Sequence, residues 1–222
     1  AAHHANSSTS GELGHKDSAC YKKPKLVSSF HGVPVVSVAC GFEFTVCLTE
    51  SGGVFTFGSN YYGCLGCGNR NVENSLAPLV VKRFQQNPVK QIAAGNHHVG
   101  ILTQEKEVFT WGCGEYGRLG LDSEEDEFSP KKVKFSQMVE VASVYCGTDA
   151  TMFLTASGKL LACGSNENNK LGFNQSLSGI KPGSQFSYDI PCNSTPLLVK
   201  PLCRHKVKFV ASGNTHSAVI NE

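Results

Sequence analysis

The sequence predicts an all-β fold built from repeated four-stranded antiparallel units, which is the pattern of a partial β-propeller. Two observations carry this prediction. A small set of glycine and leucine positions recurs in the same order along the 222 residues, and the segments between them are short, apolar and rich in β-branched residues. In the first copy these segments cover residues 35–41, 44–49 and 54–57. Short strands recurring with a period of about 50 residues are typical of propeller blades.

Each copy of the repeat begins at an anchor glycine, and the anchors are 54, 52 and 66 residues apart. In the first three copies a second glycine and then a Leu-Gly pair follow at fixed distances. The anchors are Gly41, Gly95, Gly147 and Gly213; the second glycines are Gly58, Gly112 and Gly164; the pairs are Leu65-Gly66, Leu119-Gly120 and Leu171-Gly172. We expect the glycines where backbones approach closely or φ is positive. The leucines should fill the space between adjacent units.

A fourth, outer strand is expected after each Leu-Gly turn. Apolar or mixed triplets at residues 79–81, 132–134 and 197–199 each follow a proline, namely Pro78, Pro130 and Pro196. Proline lacks an N–H group and is confined to strand starts, edges and bulges. The sequence therefore predicts outer strands that begin directly after these prolines.

The repeat divides the chain into five segments. Residues 11–14 fit the turn that ends a unit, but no strands of that unit precede them. The predicted organisation is the end of a preceding blade at 1–34, blades at 35–88, 89–137 and 138–206, and the start of a truncated blade at 207–222. We therefore expect this chain to be a fragment of a longer protein, with partial units at both ends.

The third blade carries an insertion at residues 177–188, which lengthens the spacing between the third and fourth anchors. Insertions in repeat proteins map to loops on one face, and such loops often bind partners. This makes Lys181, Phe186 and Tyr188 candidate interaction residues. A tolerated surface loop is the alternative, because longer loops cost little closure entropy.

Composition argues against several classes of function. The net charge is +2 with 17% charged residues, which gives no electrostatic case for direct nucleic-acid binding. No apolar run reaches the length of a membrane span. The ten cysteines do not suggest a secreted disulfide framework, because Cys40 and Cys146 share one repeat position and Cys163 stands where Phe57 and Trp111 stand. We expect the cysteines at these repeat positions to act as small buried apolar residues, which suits a reducing compartment.

Several apparent active-site residues coincide with repeat positions. His98 and His216 both lie three residues after an anchor glycine, which favours buried structural histidines over catalytic ones. The CxxC spacing of Cys64 and Cys67 has no second ligand pair, as a zinc site would need. The Gly-x-Gly-x-x-Gly pattern at 112–117 uses repeat glycines, and no helix pattern follows it. We therefore expect no catalytic residue, no metal site and no cofactor site in these residues.

The repeat resembles that of the regulator-of-chromosome-condensation family. The resemblance rests on the apolar strand that ends at Gly41, the strand that ends at Leu48 and Thr49, and the later run to Leu65-Gly66. That family folds as a seven-bladed propeller, which implies about four blades here. Residues 61–64, 111–126 and 169–172 further resemble the propeller of a NIMA-related mitotic serine/threonine kinase, where it follows the catalytic domain.

This resemblance implies a non-catalytic module for protein–protein interaction and autoregulation of a kinase. ATP and Mg²⁺ would belong to a kinase domain outside this chain. The implied partners are that kinase domain, acting intramolecularly, and other NIMA-related kinases, with a cytoplasmic, nuclear or spindle-associated location. Two alternatives stay open: a nucleotide exchange factor or chromatin-binding propeller acting on the small GTPase Ran, and a scaffold propeller of a ubiquitin ligase or trafficking protein. No residue of this sequence could be matched to an exchange site.

Overall fold

The computed structural model describes residues 10–174 and 190–222, and these residues form antiparallel sheets joined by short turns. The first blade comprises β1 (Val35–Cys40), β2 (Phe44–Thr49), β3 (Val54–Ser59) and β4 (Asn74–Val80). The second comprises β5 (Val89–Ala94), β6 (His98–Thr103), β7 (Val108–Gly112) and β8 (Glu127–Lys132). The third comprises β9 (Val141–Cys146), β10 (Ala150–Thr155), β11 (Leu160–Ser165) and β12 (Cys192–Leu198). A hairpin of β13 (Val207–Ser212) and β14 (Ser217–Asn221) follows.

Helical structure in the described residues consists of single 3₁₀ turns. These turns cover Ser28–Phe30, Lys82–Phe84, Glu115–Gly117, Glu167–Asn169 and Lys200–Leu202. Among the described residues no helix has the length and apolar character needed to cross a membrane.

Each blade is a simple meander in which strands that follow one another along the chain are also hydrogen-bonded neighbours. The inner strands are the most buried: all six residues of β2, β6 and β10 are buried, and so are all residues of β7 and β11. A strand buried on both faces needs apolar or small side chains at every position, and the sequence of β2, Phe-Thr-Val-Cys-Leu-Thr, meets this need. The expected all-β fold with four-stranded antiparallel blades is confirmed.

The outer strands begin earlier than expected. They start at Asn74, Glu127 and Cys192, so Pro78, Pro130 and Pro196 lie inside them rather than before them. Each proline falls at an irregularity in the pairing with the third strand of its blade. A bulge on an edge strand leaves backbone groups unpaired, so a residue without an N–H group is tolerated there.

The core lies between the blades rather than within any one of them. One buried cluster joins the first two blades and includes Val46, Val99 and Trp111. A second joins the second and third blades, and a third joins the third blade to the β13–β14 hairpin through Met152 and Val210. Each sheet therefore depends on its neighbour to cover its apolar face, as in other repeat proteins.

The cysteines are all free, and their burial differs between copies of the repeat. Cys163 is fully buried and Cys146 partly buried, whereas Cys40 is exposed. The expectation of burial is therefore wrong for Cys40. Its side chain belongs to the face of the first sheet that has no complete blade over it among the described residues, and an open groove borders it there.

The inserted loop predicted at 177–188, with Lys181, Phe186 and Tyr188, lies outside the described residues. Its role as an interaction loop stays a prediction.

Candidate interaction surface

Most of the anchor and second glycines lie where neighbouring atoms leave no room for a side chain. A Cβ atom on Gly95 would lie 2.3 Å from the carbonyl oxygen of Gly147, the anchor of the next blade. Gly112 has φ of +107°, and a Cβ there would lie 2.5 Å from the carbonyl oxygen of His97. Gly58 and Gly164 also lie against backbone oxygens, whereas Gly41 and Gly147 lie against the side chains of Phe44 and Ser212. Gly213 has more room, because its nearest atom is 3.5 Å away. These positions thus shape the frame that carries the surface loops.

The Leu-Gly turns connect each blade to the next. Leu65, Leu119 and Leu171 are all buried. In the first blade the turn is fixed from both sides, because the hydroxyl of Thr56 donates to the Leu65 carbonyl at 2.7 Å and the indole of Trp111 donates to the Cys64 carbonyl at 2.9 Å. Gly66 is needed at this point, since a Cβ on it would lie 2.8 Å from the Trp111 nitrogen. Gly120 meets Cys163 in the same way at 3.1 Å, while Gly172 has only an ordinary contact at 3.4 Å.

The two repeat histidines lie in different environments. His98 is completely buried, and its Nε2 lies 2.9 Å from the hydroxyl oxygen of Thr151 in the third blade. Thr151 gives its only hydroxyl hydrogen to the carbonyl of Arg118, so Nε2 is the donor in the neutral ring. Burial, followed by the positive charge of Arg118, lowers the pKa of His98 to about 3. His216 is exposed, so its expected burial is wrong.

One end of every blade carries the loops that join its first strand to its second and its third strand to its fourth. We call this end the loop face. The repeat is visible there in the backbone: the carbonyl oxygens of Glu43, His97 and Asp149 accept hydrogen bonds from the residues that follow the second glycines. The donors are Ser59 at 2.8 Å, Cys113 at 2.8 Å and Ser165 at 3.1 Å. These three loop residues are therefore structural equivalents.

Aromatic side chains cluster on the loop face of the first blade. Phe42 is 60% exposed and Tyr61 is 78% exposed. Phe42 contacts His97 with ring centroids 5.5 Å apart, His97 contacts Tyr62 at 4.8 Å, and Tyr62 contacts Tyr61 at 4.8 Å. We call these four residues the aromatic cluster. They line a cavity of about 290 Å³ together with Glu43, Ser59 and Cys64.

Charges of both signs act on this cavity: the carboxylates of Glu43, Glu115 and Asp126, and the guanidinium of Arg118. The pKa of Tyr62 is raised, mainly by partial burial, and the carboxylates of Asp126 and Glu115 contribute to the increase. The pKa of His97 is lowered, mainly by burial and then by the charge of Arg118, while Glu43 acts in the opposite direction. Burial also raises the pKa of the Cys64 thiol. Cys64 is therefore neutral at physiological pH.

The residue before each Leu-Gly pair differs from blade to blade. In the second blade Arg118 is buried, donates from Nε to the Glu115 carbonyl at 2.9 Å, and has its guanidinium 3.3 Å from the Glu115 carboxylate. In the third blade Lys170 is buried and donates to the Asn214 carbonyl at 3.0 Å. Its ammonium also lies 2.7 Å from an oxygen of Asp149, as a contact ion pair rather than a directed hydrogen bond.

The positions that agree between copies of the repeat reveal neither this variable position nor the aromatic cluster, because the surface is made by positions that differ. The signal that could have revealed it is the series Cys64, Arg118 and Lys170 at one position of an otherwise regular turn. Among the described residues no group of three or more His, Cys, Asp or Glu side chains could hold a metal ion.

This repeated fold matches a known family. The regulator of chromosome condensation (RCC1) repeat matches residues 7–48, 51–102, 106–154 and 157–220. A second model of the same repeat matches residues 35–64, 89–118 and 141–170. The matched residues span nearly the whole chain, so this protein region belongs to the RCC1 repeat family and is an RCC1-type propeller region.

Among curated proteins, the chain is similar to a NIMA-related kinase. It is 46% identical to the serine/threonine-protein kinase Nek9 of Mus musculus over 96% of this chain and 21% of the mouse protein. It is 36% identical to the serine/threonine-protein kinase Nek8 of Danio rerio over 90% of this chain and 29% of that protein. The E3 ubiquitin-protein ligase HERC2 of Homo sapiens is 30% identical over 96% of this chain and 4% of the ligase. The chain thus spans about a fifth of the length of Nek9.

Solved structures place the fold in the same class. Human WBSCR16 superimposes with a TM-score of 0.69 and 28% identity, over 85% of this chain and 45% of that one. Prp20p of Saccharomyces cerevisiae, whose structure was described with its binding to Gsp1p and histones, superimposes with a TM-score of 0.68 and 18% identity, over 84% of this chain and 43% of that one. The second likeness concerns the fold alone.

Proposed function

We propose that this propeller is a non-catalytic module for protein–protein interaction and autoregulation within a NIMA-related mitotic serine/threonine kinase. The observation that carries the proposal is the 46% identity to Nek9 over 96% of the chain. The repeat glycines and leucines are too few to account for identity at this level. ATP and Mg²⁺ would then bind in a kinase domain outside these residues, and the protein would act in the cytoplasm, the nucleus or on the spindle.

The structure supports an interaction role through the contrast between its core and its loop face. The strands bury continuous apolar surface between blades, whereas the loop face of the first blade exposes Phe42 and Tyr61 to solvent. Aromatic residues are enriched at protein–protein interfaces because they offer large contact areas at low entropic cost. The partners we propose are the kinase domain of the same protein and other NIMA-related kinases.

The test starts from the complete coding sequence. A kinase domain encoded upstream is expected, and deletion of the propeller should raise the rate at which that kinase phosphorylates a generic substrate. Adding the separate 222-residue chain should lower the rate again. Absence of an encoded kinase domain, or equal rates with and without the propeller, would contradict the proposal.

A parallel assay separates this role from the Ran alternative. Release of a fluorescent GDP analogue from Ran is measured with and without the chain, and we expect no acceleration. Release at the rate of a true exchange factor would favour the alternative, which at present rests on a likeness to Prp20p at 18% identity.

A further inference from the structure

The second and third blades each place a buried cation on the loop face. At the equivalent place the first blade has no cation, but it has the carboxylate of Glu43 and the aromatic cluster. In the second blade that cation is Arg118, which is 3% exposed and paired with Glu115. In the third blade it is Lys170, which is 5% exposed and paired with Asp149. The equivalent residue of the first blade is the neutral thiol Cys64.

The carboxylate that would balance a cation is still present in the first blade. Glu43 occupies the same loop position as Asp149, because the carbonyl oxygens of both accept the equivalent backbone hydrogen bond. In the part of the chain that the structure describes, no lysine or arginine pairs with Glu43. Cys64 instead directs its thiol to the carbonyl of His97 at 3.2 Å.

The space beside Cys64 can take a whole side chain. The cavity measures about 290 Å³, far more than the roughly 10–15 Å³ that a single water needs. Its walls include the faces and edges of Phe42, Tyr62 and His97, with Glu43 on the same lining. Aromatic rings attract cations through their quadrupole, and this attraction strengthens where water is partly excluded.

The molecule itself indicates which cation fits best. The guanidinium of Arg118 lies 5.7 Å from the ring of Tyr116 on the same face, and Arg70 lies 4.5 Å from the ring of Phe128. A guanidinium is planar and weakly hydrated, so it stacks on rings and binds a carboxylate at the same time, which an ammonium does less well. Arg118 is itself close enough to lower the pKa of His97, and its ion-pair partner Glu115 acts in the opposite direction.

We propose that the cavity formed by Phe42, Glu43, Tyr62, Cys64 and His97 is a docking site for an arginine side chain of a partner protein. The arginine enters from solvent, pairs with Glu43 and stacks against the aromatic cluster. It thereby supplies a cation at the position where the next two blades have their own buried Arg118 and Lys170. This inference rests on the proposed role of the propeller as a protein-interaction module and assigns a chemistry to one of its contacts.

The test uses the 222-residue chain and two peptides, acetyl-Gly-Gly-Arg-Gly-Gly-amide and its citrulline counterpart, which has nearly the same shape but no charge. Binding is followed by calorimetry and by NMR shifts of the ring protons of Phe42 and Tyr62. We expect the arginine peptide to bind at least about tenfold more tightly than the citrulline peptide. Citrulline has no charge, so it forms neither the ion pair with Glu43 nor a cation–π interaction with the rings. Equal binding of the two peptides, or no binding of either, would overturn the inference.

Glu43→Gln is the deciding variant, because it removes the charge from an exposed side chain and keeps its shape. It should weaken arginine binding by about five- to tenfold. Glu50→Gln is the matched control: Glu50 is also exposed but follows β2, at the opposite end of the blade, and its substitution should leave binding unchanged. Arginine binding that survives Glu43→Gln at full strength would also overturn the inference.

A third variant places an arginine of the chain itself in the proposed site. Cys64→Arg copies the second blade and should abolish peptide binding, while Cys64→Ala should preserve it. The outcomes separate this inference from the proposed function. If arginine and citrulline peptides bind equally while the chain still inhibits the kinase, the arginine site is wrong and the regulatory role stands.

Discussion

The same repeat positions are buried at the junction between the second and third blades and exposed on the outer face of the first blade. Val144, three residues before the third anchor glycine, is 1% exposed, whereas Val38, three residues before the first, is 48% exposed. Val38 borders an apolar groove of about 390 Å³ together with Val33 and Phe57. The two valines have equivalent positions in their strands, so their burial is decided by the neighbouring blade and not by local sequence.

The largest expected effect on stability comes from substitutions at the Leu-Gly turns, where burial again differs between copies of the repeat. Leu119→Ala removes a fully buried side chain between two blades and should lower the free energy of unfolding by about 3–5 kcal/mol. Leu13→Ala alters the same repeat position where it is only partly buried, and should cost about 1 kcal/mol. Urea unfolding, followed through the fluorescence of the single tryptophan, Trp111, measures both. Equal losses would contradict the neighbour argument.

A pH effect on stability is expected at His98. The pKa of His98 is lowered to about 3 in the folded chain, whereas an unfolded histidine has a pKa of about 6.5. The unfolded state therefore binds more protons below pH 6.5, so stability is lost as pH falls from about 6.5 toward 3. Between pH 7 and pH 4 the loss from this group is on the order of 3 kcal/mol.

The variant that isolates this effect is His98→Phe, because Phe44 occupies the same repeat position in the first blade. It should flatten the dependence of unfolding free energy on pH relative to the unsubstituted chain. His216→Phe, at the same repeat position but exposed, controls for the introduction of a phenylalanine. A His98→Phe profile as steep as that of the parent would show that other groups cause the acid sensitivity.

The smallest expected effect concerns the two valines. Val144→Ala should lower the free energy of unfolding by about 2 kcal/mol through lost burial and a small cavity, whereas Val38→Ala should change it by less than about 0.5 kcal/mol. Thermal and urea unfolding of both variants provide the comparison. A large loss for Val38→Ala would mean that the outer face of the first sheet is covered in solution.

Much of the frame could be predicted because geometry leaves few choices at its positions. Gly58, Gly112 and Gly164 all have positive φ and backbone atoms within 2.5 Å of where a Cβ would lie, so only glycine fits and the repeat becomes visible in the sequence. The Leu-Gly turns are visible for a similar reason, since the leucine must be buried against the next blade.

The rest could not be predicted, for three physical reasons. The position of Cys40 is partly buried in other copies and that of His216 is fully buried, but the coverage of these two residues depends on a neighbouring blade. The outer strands are paired irregularly, so their start at residues such as Asn74 leaves little periodic signal. The cavity beside Cys64 arises from contacts between loops of two blades, which no single stretch of sequence encodes.

The hydrogen bonds that join neighbouring blades connect residues about one repeat apart in the sequence. Trp111 reaches back 47 residues to Cys64, and His98 pairs with Thr151 53 residues ahead. Each contact between blades therefore closes as soon as about one more repeat has left the ribosome. Synthesis can add blades one after another in order, and an unfinished blade waits only for the next one rather than for a distant part of the protein.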